Sequence, residues 1–170
     1  MKYIINYKKY RIGFRIMINY FCYDTEIGTI KISEKDGKII GLVFSDYKKE
    51  IEIEKETDAI RKTYLQLKEY LYGKRKNFDI EIEMIGTEFQ KKVWKELLNI
   101  PYGETRSYKD IAIAIGNEKA CRAVGNANNK NPIAIIVPCH RVVGSDGSMT
   151  GYAGGLNIKE KLLKIEKCSV

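Results

Sequence analysis

The sequence predicts a chain in two parts: an α/β half over residues 1–85, made of a small antiparallel sheet plus a helix, and a mainly α half over residues 86–170 that contains a helix-turn-helix. Three observations predict this division. Strand-like patterning and turn signals occupy residues 1–50, a capped amphipathic helix follows at 57–72, and short helical patterns take over from Gly86.

In the first half, residues 28–33 and 38–44 flank Glu34-Lys35-Asp36-Gly37. Asp-Gly tolerates positive φ, so this reads as a hairpin. Thr57 is placed to cap the helix in which Ile60, Tyr64, Leu67 and Leu71 recur at helical spacing, and Gly73 stops it. Phe78, Ile80, Ile82 and Met84 then alternate with Asp79, Glu81 and Glu83, the pattern of a strand buried on one face.

In the second half, Thr87 and Gln90 form a capping box ahead of Phe89, Val93, Trp94 and Leu97, and Ile100-Pro101-Tyr102-Gly103 ends that helix. Ser107 caps the next, whose Tyr108, Ile111, Ala112 and Ile115 share a face. Gly116-Asn117 turns the chain into a helix at about 118–129. Residues 131–149 read as an extended, loop-rich segment, and Asn157 opens a last helix with Ile158, Leu162 and Ile165 inward.

With 44% apolar residues the chain can bury a core, which excludes general disorder. No stretch reaches the roughly 20 apolar residues of a membrane span. The apolar run of residues 1–14 is interrupted by Lys8, Lys9 and Arg11 and lacks a small-residue cleavage site. It is therefore not read as a signal peptide, and the expected location is the cytoplasm. The net charge of +8 favours a polyanionic partner, although the lysines are spread along the chain. The four cysteines are widely spaced and there is one histidine, too few clustered ligands for a structural zinc, and no metal or other cofactor is expected.

Two features carry chemistry. In the helix at 118–129, Ala120, Ala123, Val124 and Ala127 form an apolar stripe, while Glu118, Arg122, Gly125 and Asn129, with Asn126 beside them, form a slim opposite face. This suits a helix entering a groove, and equally suits an ordinary helical hairpin with a solvated face. In the run Ile135–Val143, Cys139 precedes the chain's one histidine, His140. A nearby imidazole can take a thiol proton directly or through water. Neighbours in an extended segment point to opposite sides, so this pairing needs a bent backbone or a relay. Glu160 has two readings: a capping box with Asn157, or a proton-accepting partner of His140.

These residues resemble the O6-alkylguanine-DNA alkyltransferase family. The resemblance covers about residues 86–166 through Gly86-Thr87, Phe89-Gln90, Val93-Trp94, Ile100–Thr105, Ser107-Tyr108, Arg122–Gly125, Asn131-Pro132, Pro138–Arg141, Gly151-Tyr152 and Gly154-Gly155. It implies a ribonuclease-H-like N-terminal domain and a winged-helix-like C-terminal domain. It implies single-turnover, irreversible transfer of alkyl groups from O6-alkylguanine, and from O4-alkylthymine, in duplex DNA to Cys139, by a monomer and with the base flipped out. His140 would then be the base and Glu160 its support. Tyr108 would rotate the phosphate and hydrogen-bond the guanine, Arg122 would fill the stack, and Asn131 would be the hinge. DNA contact would also fall to Ser107, Ala123, Gly125, Asn126 and Asn129. Pro138, Val142, Tyr152, Ala153, Gly154 and Gly155 would line the pocket. The chain departs from the family pattern at Ala153, often Ser in relatives, and lacks the zinc ligands that some relatives carry. Related non-catalytic binders have Trp at the position of Cys139. On the residues alone, a turning-over cysteine hydrolase would share the Cys–His pair but not need the helix pair. A non-enzymatic DNA-binding regulator would need the helices but not the cysteine.

Overall fold

The computed structural model describes residues 17–45 and 52–168. The lysine-interrupted segment at residues 1–14 lies outside them. The first half is a four-stranded sheet in the order β3-β2-β1-β4, from β1 (Ile18–Thr25), β2 (Gly28–Lys35), β3 (Lys38–Phe44) and β4 (Glu52–Glu54). The β2–β3 hairpin turns at Asp36 and Gly37, both at positive φ (51° and 79°), as the Asp-Gly signal requires. The expected antiparallel sheet is corrected at one edge, where β4 pairs parallel with β1. Helix α1 (Asp58–Leu71) packs on the sheet through Ile60, Thr63, Gln66, Leu67 and Tyr70, with Thr57 at its N-cap.

The segment expected to be a strand at 78–84 is not one. Its odd–even burial alternates as predicted, but it makes one bridge, Ile39 to Ile82, in which the Ile39 carbonyl and N–H are both used. Alternation reported the half-buried face correctly. It carries no information about a partner edge long enough to sustain a ladder.

The second half contains α2 (Glu88–Leu97), β5 (Arg106–Ser107), α3 (Tyr108–Ala114), α4 (Cys121–Asn129), β6 (Val142–Val143) and α5 (Leu156–Cys168). Both predicted N-caps form as capping boxes, Thr87 with Gln90 and Ser107 with Asp110. Gly116, at φ 74°, turns α3 into a short 3-10 segment (Glu118–Ala120) that leads into α4. The Trp94 indole N–H donates to the Ala127 carbonyl at 2.8 Å and ties α2 to α4. Helix α5 starts one residue before the predicted opening, with the Lys159 N–H bonded to the Gly155 carbonyl, so Asn157 is its second residue and not its cap.

One apolar core runs through both halves, from Ile30, Ile32 and Leu42 of the sheet to Trp94, Val124, Val137 and Leu162. The cysteine-bearing segment is pinned to the sheet edge: the Leu42 N–H bonds the Pro132 carbonyl and the Ala134 N–H bonds the Leu42 carbonyl. Further along β3, the Phe44 ring packs edge-on against Tyr152 at 5.9 Å. A Cβ added to Gly154 would come within 2.6 Å of that same Phe44 ring. Gly154→Ala should therefore destabilise the fold by about 1–3 kcal/mol, the range for overpacking. Combining it with Phe44→Leu should recover part of the loss in urea denaturation. Equal and additive losses would show that the loop does not rest on Phe44.

Candidate functional site: a buried thiol behind a DNA-binding helix

Cys139 is 3% exposed, in a run from Asn131 to Val142 in which every residue is buried. The β-branched residues there suggested an extended segment, and the backbone instead folds tightly. Ile135 adopts φ 73°, which is costly for a β-branched residue and persists only where its surroundings impose it. The Asn131 amide does so by donating to the Val137 carbonyl at 2.8 Å and accepting the Ile133 N–H at 3.0 Å. Cys139, His140 and Arg141 then form a 3-10 turn. This is the bent backbone that cooperation between adjacent Cys and His side chains requires.

Burial pushes the Cys139 thiol up to about 11, opposed by the Asn131 amide, the Lys159 charge and the backbone N–H groups of Cys139 and Ile135. At neutral pH the sulfur is therefore protonated and needs a base. His140 is fully buried, and burial lowers its pKa against the opposing pull of Glu166, so it stands as a neutral imidazole able to accept a proton.

The partner of His140 is Glu166, not Glu160. Glu160 is exposed on α5, whereas Glu166 Oε1 lies 2.8 Å from His140 Nε2. Burial alone would raise the Glu166 carboxyl, but hydrogen bonds from His140, Arg141 and Tyr70 outweigh it and hold it at about 2. A carboxylate only accepts, so Nε2 carries the imidazole proton. Nδ1, which has no hydrogen-bond partner among the described residues, is left with its lone pair. Arg141 grips Glu166 through Nε and Nη2 (3.0 Å to Oε2 and Oε1, respectively), and the Gly103 N–H donates to Oε2 at 3.0 Å. The left-handed φ of Gly103, 80°, aims that N–H inward.

Sequence reasoning missed Glu166, Lys159 and Tyr70. Lys159 is fully buried, with its ammonium on the carbonyls of Val142 (2.6 Å) and Thr150 (3.0 Å). The available signal was the i, i+3, i+7 face of α5, where Lys159, Leu162 and Glu166 are the buried residues. Charges on the apolar stripe of a helix are rarely there for packing alone.

The other sequence-predicted residues fall into two neighbourhoods. Arg122, Ala123 and Asn126 lie exposed on α4, and Gly125 and Asn129 are half-buried. Ala123 is thus on the outward face, not in the buried stripe, which consists of Val124, Ala127 and Asn128. The Ser107 hydroxyl is committed to Asp110 as the cap of α3. Tyr108, first residue of α3, packs its ring near Gly125 and donates its hydroxyl to the Thr150 carbonyl at 3.0 Å, so it bridges α4 and the loop before α5. Pairing of β5 with β6 fixes Tyr108 relative to the cysteine turn, through Arg106 to Val142 and Ser107 to Val143. Pro138, Val142 and Tyr152 are buried beside Cys139, while Ala153 and Gly155 are exposed and Gly154 is half-buried.

A helix-turn-helix backed by a buried thiol, a buried imidazole and a buried carboxylate fits a class of protein in which DNA binding and a cysteine site share one domain. The chain belongs to the 6-O-methylguanine DNA methyltransferase family: that family's ribonuclease-like domain matches residues 18–84 and its DNA binding domain matches residues 88–168. It is 51% identical over 148 residues to the methylated-DNA--protein-cysteine methyltransferase of Methanosarcina barkeri, covering 85% of this chain and 94% of the relative. It is 46% identical over 154 residues to the constitutive enzyme of that name from Bacillus subtilis, covering 86% and 93%. Among solved structures, the Mycobacterium tuberculosis protein OGT in complex with DNA matches with a TM-score of 0.84 at 44% identity, covering 89% of this chain and 94% of that one.

The two candidate carboxylates separate cleanly by stability. Glu166→Gln leaves Arg141 buried without its counter-charge and should cost about 3–5 kcal/mol. Glu160→Gln, on an exposed face, should stay within about 0.5 kcal/mol. Because the Glu166 pKa is depressed, its stabilisation is complete above the ordinary carboxylate range and is lost as pH falls through about 2. Urea denaturation of both variants at neutral and acid pH checks this, and comparable losses would return Glu160 to the site.

Proposed function

We propose that this protein repairs DNA by transferring an alkyl group from O6 of guanine, and from O4 of thymine, in duplex DNA to Sγ of Cys139, once per molecule and irreversibly. The observation that carries this reading is the buried Cys139 followed directly in the chain by a buried His140 whose Nε2 is held by Glu166 and whose Nδ1 makes no hydrogen bond among the described residues. Family membership supports the reaction, and the outward face of α4 supports the partner.

A thiol inside the protein cannot meet a base inside a stacked duplex, so the damaged nucleotide must leave the helix at a cost of a few kcal/mol. Arg122, exposed on α4, is the side chain we assign to the vacated stack, with Ala123, Gly125, Asn126 and Asn129 against the groove. Tyr108 exchanges its Thr150 carbonyl for the flipped base and the adjacent phosphate. The S–H proton passes to Nδ1 of His140, directly or through a water. The thiolate then attacks the alkyl carbon, and the S–C bond forms as the C–O6 bond breaks. Guanine departs with the electron pair and is protonated, with Tyr108 stabilising its developing charge. The proton lost by the thiol and the one gained by guanine balance, so no cofactor takes part. The thioether offers water no leaving group, which ends the reaction after one event. We take the protein to act as a cytoplasmic monomer; among the described residues no helix is long and apolar enough to cross a membrane.

Incubation with a duplex oligonucleotide containing O6-methylguanine, followed by mass analysis of the protein, tests the reading. The wild type should gain one methyl group, mapped to Cys139, and then stop. Cys139→Ser should gain none while still binding the duplex. Methylation mapped to Cys22, Cys121 or Cys168, or continued turnover, would refute the assignment.

A further inference from the structure

The N-terminal half reaches the relay directly. Tyr70, on the last turn of α1, is fully buried and donates its hydroxyl to Glu166 Oε1 at 2.6 Å. Its oxygen also lies 3.3 Å from His140 Nε2. Since Nε2 carries the proton, that N–H faces two acceptors, the Glu166 carboxylate and the Tyr70 oxygen, while Tyr70 spends its own proton on the carboxylate. We propose that Tyr70 is a positioning residue for alkyl transfer, through which the N-terminal domain fixes the Nε2–H tautomer of His140 and so presents Nδ1 to Cys139.

The geometry is closed on each side. Glu166 comes from α5, His140 and Arg141 from the cysteine turn, and Tyr102 from the loop after α2, its ring edge-on to Tyr70 at 6.1 Å. Lys159 faces the sulfur from α5. Burial and the neighbouring Glu166 charge both push the Tyr70 phenol upward, so the hydroxyl keeps its proton and remains a donor through the working range. The Phe78 ring packs against the Tyr70 ring at 5.5 Å. An apolar core position would be filled as well by Phe; the hydroxyl is explained by what it touches.

This rests on the assignment of Cys139 and His140, and the test separates the two. Single-turnover methyl transfer from an O6-methylguanine duplex is measured against pH for the wild type, Tyr70→Phe, His140→Ala and Leu67→Val. The last loosens the same helix without touching the relay. Tyr70→Phe should be slower by roughly tenfold at pH 7, part of what positioned proton-transfer groups contribute. Its deficit should shrink as pH rises toward about 11, where bulk base ionises the thiol unaided. His140→Ala should show a larger deficit with the same trend, and Leu67→Val should melt earlier with an unchanged pH profile. A Tyr70→Phe rate within twofold of wild type, or a deficit that does not vary with pH, overturns the proposal while a pH-dependent His140→Ala deficit leaves the site assignment standing. A His140→Ala deficit independent of pH overturns both.

Discussion

The rest of the structure depends on one buried carboxylate. Glu166 accepts hydrogen bonds from Tyr70 of α1, His140 and Arg141 of the cysteine turn, and the Gly103 N–H of the loop after α2, and it sits itself on α5. Four separate segments are thereby held at one point. Isolated, such a charge would cost several kcal/mol to bury, and its donors offset that only when all are in place. The arrangement is therefore all-or-none: the N-terminal sheet and helix, the loop at 100–103 and the last helix must dock together before the imidazole is oriented. Arg141 extends the constraint by donating to the Ile100 carbonyl at 2.6 Å, which draws the Ile100–Gly103 motif into the same cluster.

Burial keeps the thiol quiet. A thiol exposed to water near its ordinary pKa would be partly ionised and open to oxidants and stray electrophiles. Cys139 is instead buried, and its pKa is pushed up to about 11. In the proposed reaction its reactivity depends on His140, whose Nε2 is held by Glu166. The DNA-facing side follows the opposite logic. Helix α4 presents short side chains and one arginine outward, while its buried residues are Val124, Ala127 and Asn128, and the Asn128 amide donates to the Cys139 carbonyl at 3.3 Å.

Much of this was legible in the sequence because it is local. The Asp36-Gly37 turn, the Thr87 and Ser107 caps and the Gly116 turn are each decided by a few neighbouring residues, and each forms as read. Cys139 and His140 are adjacent in the chain, so the candidate pair was visible too. What could not be read is non-local. The parallel pairing of β4 with β1, and the failure of residues 78–84 to become a strand, depend on which edges meet in space. The spacing from Asn157 and the family resemblance both point to Glu160, and neither points to Glu166. The structure uses the residue on the buried face two turns further on, and Tyr70 lies 70 positions from the histidine it supports. The 3-10 turn at Cys139–Arg141 ran against β-branched propensity, which tertiary contacts through Asn131 overrode.

The central claim is that a neutral imidazole, protonated at Nε2 and free at Nδ1, stands beside Cys139. His140 is the chain's one histidine, so nitrogen-15 labelling of histidine reports on it without interference. The account predicts a neutral Nε2–H tautomer at pH 7 that stays neutral as the pH is lowered past the ordinary histidine value of about 6.5. A protonated imidazolium at pH 7, or a proton on Nδ1 with Nε2 bare, would contradict it.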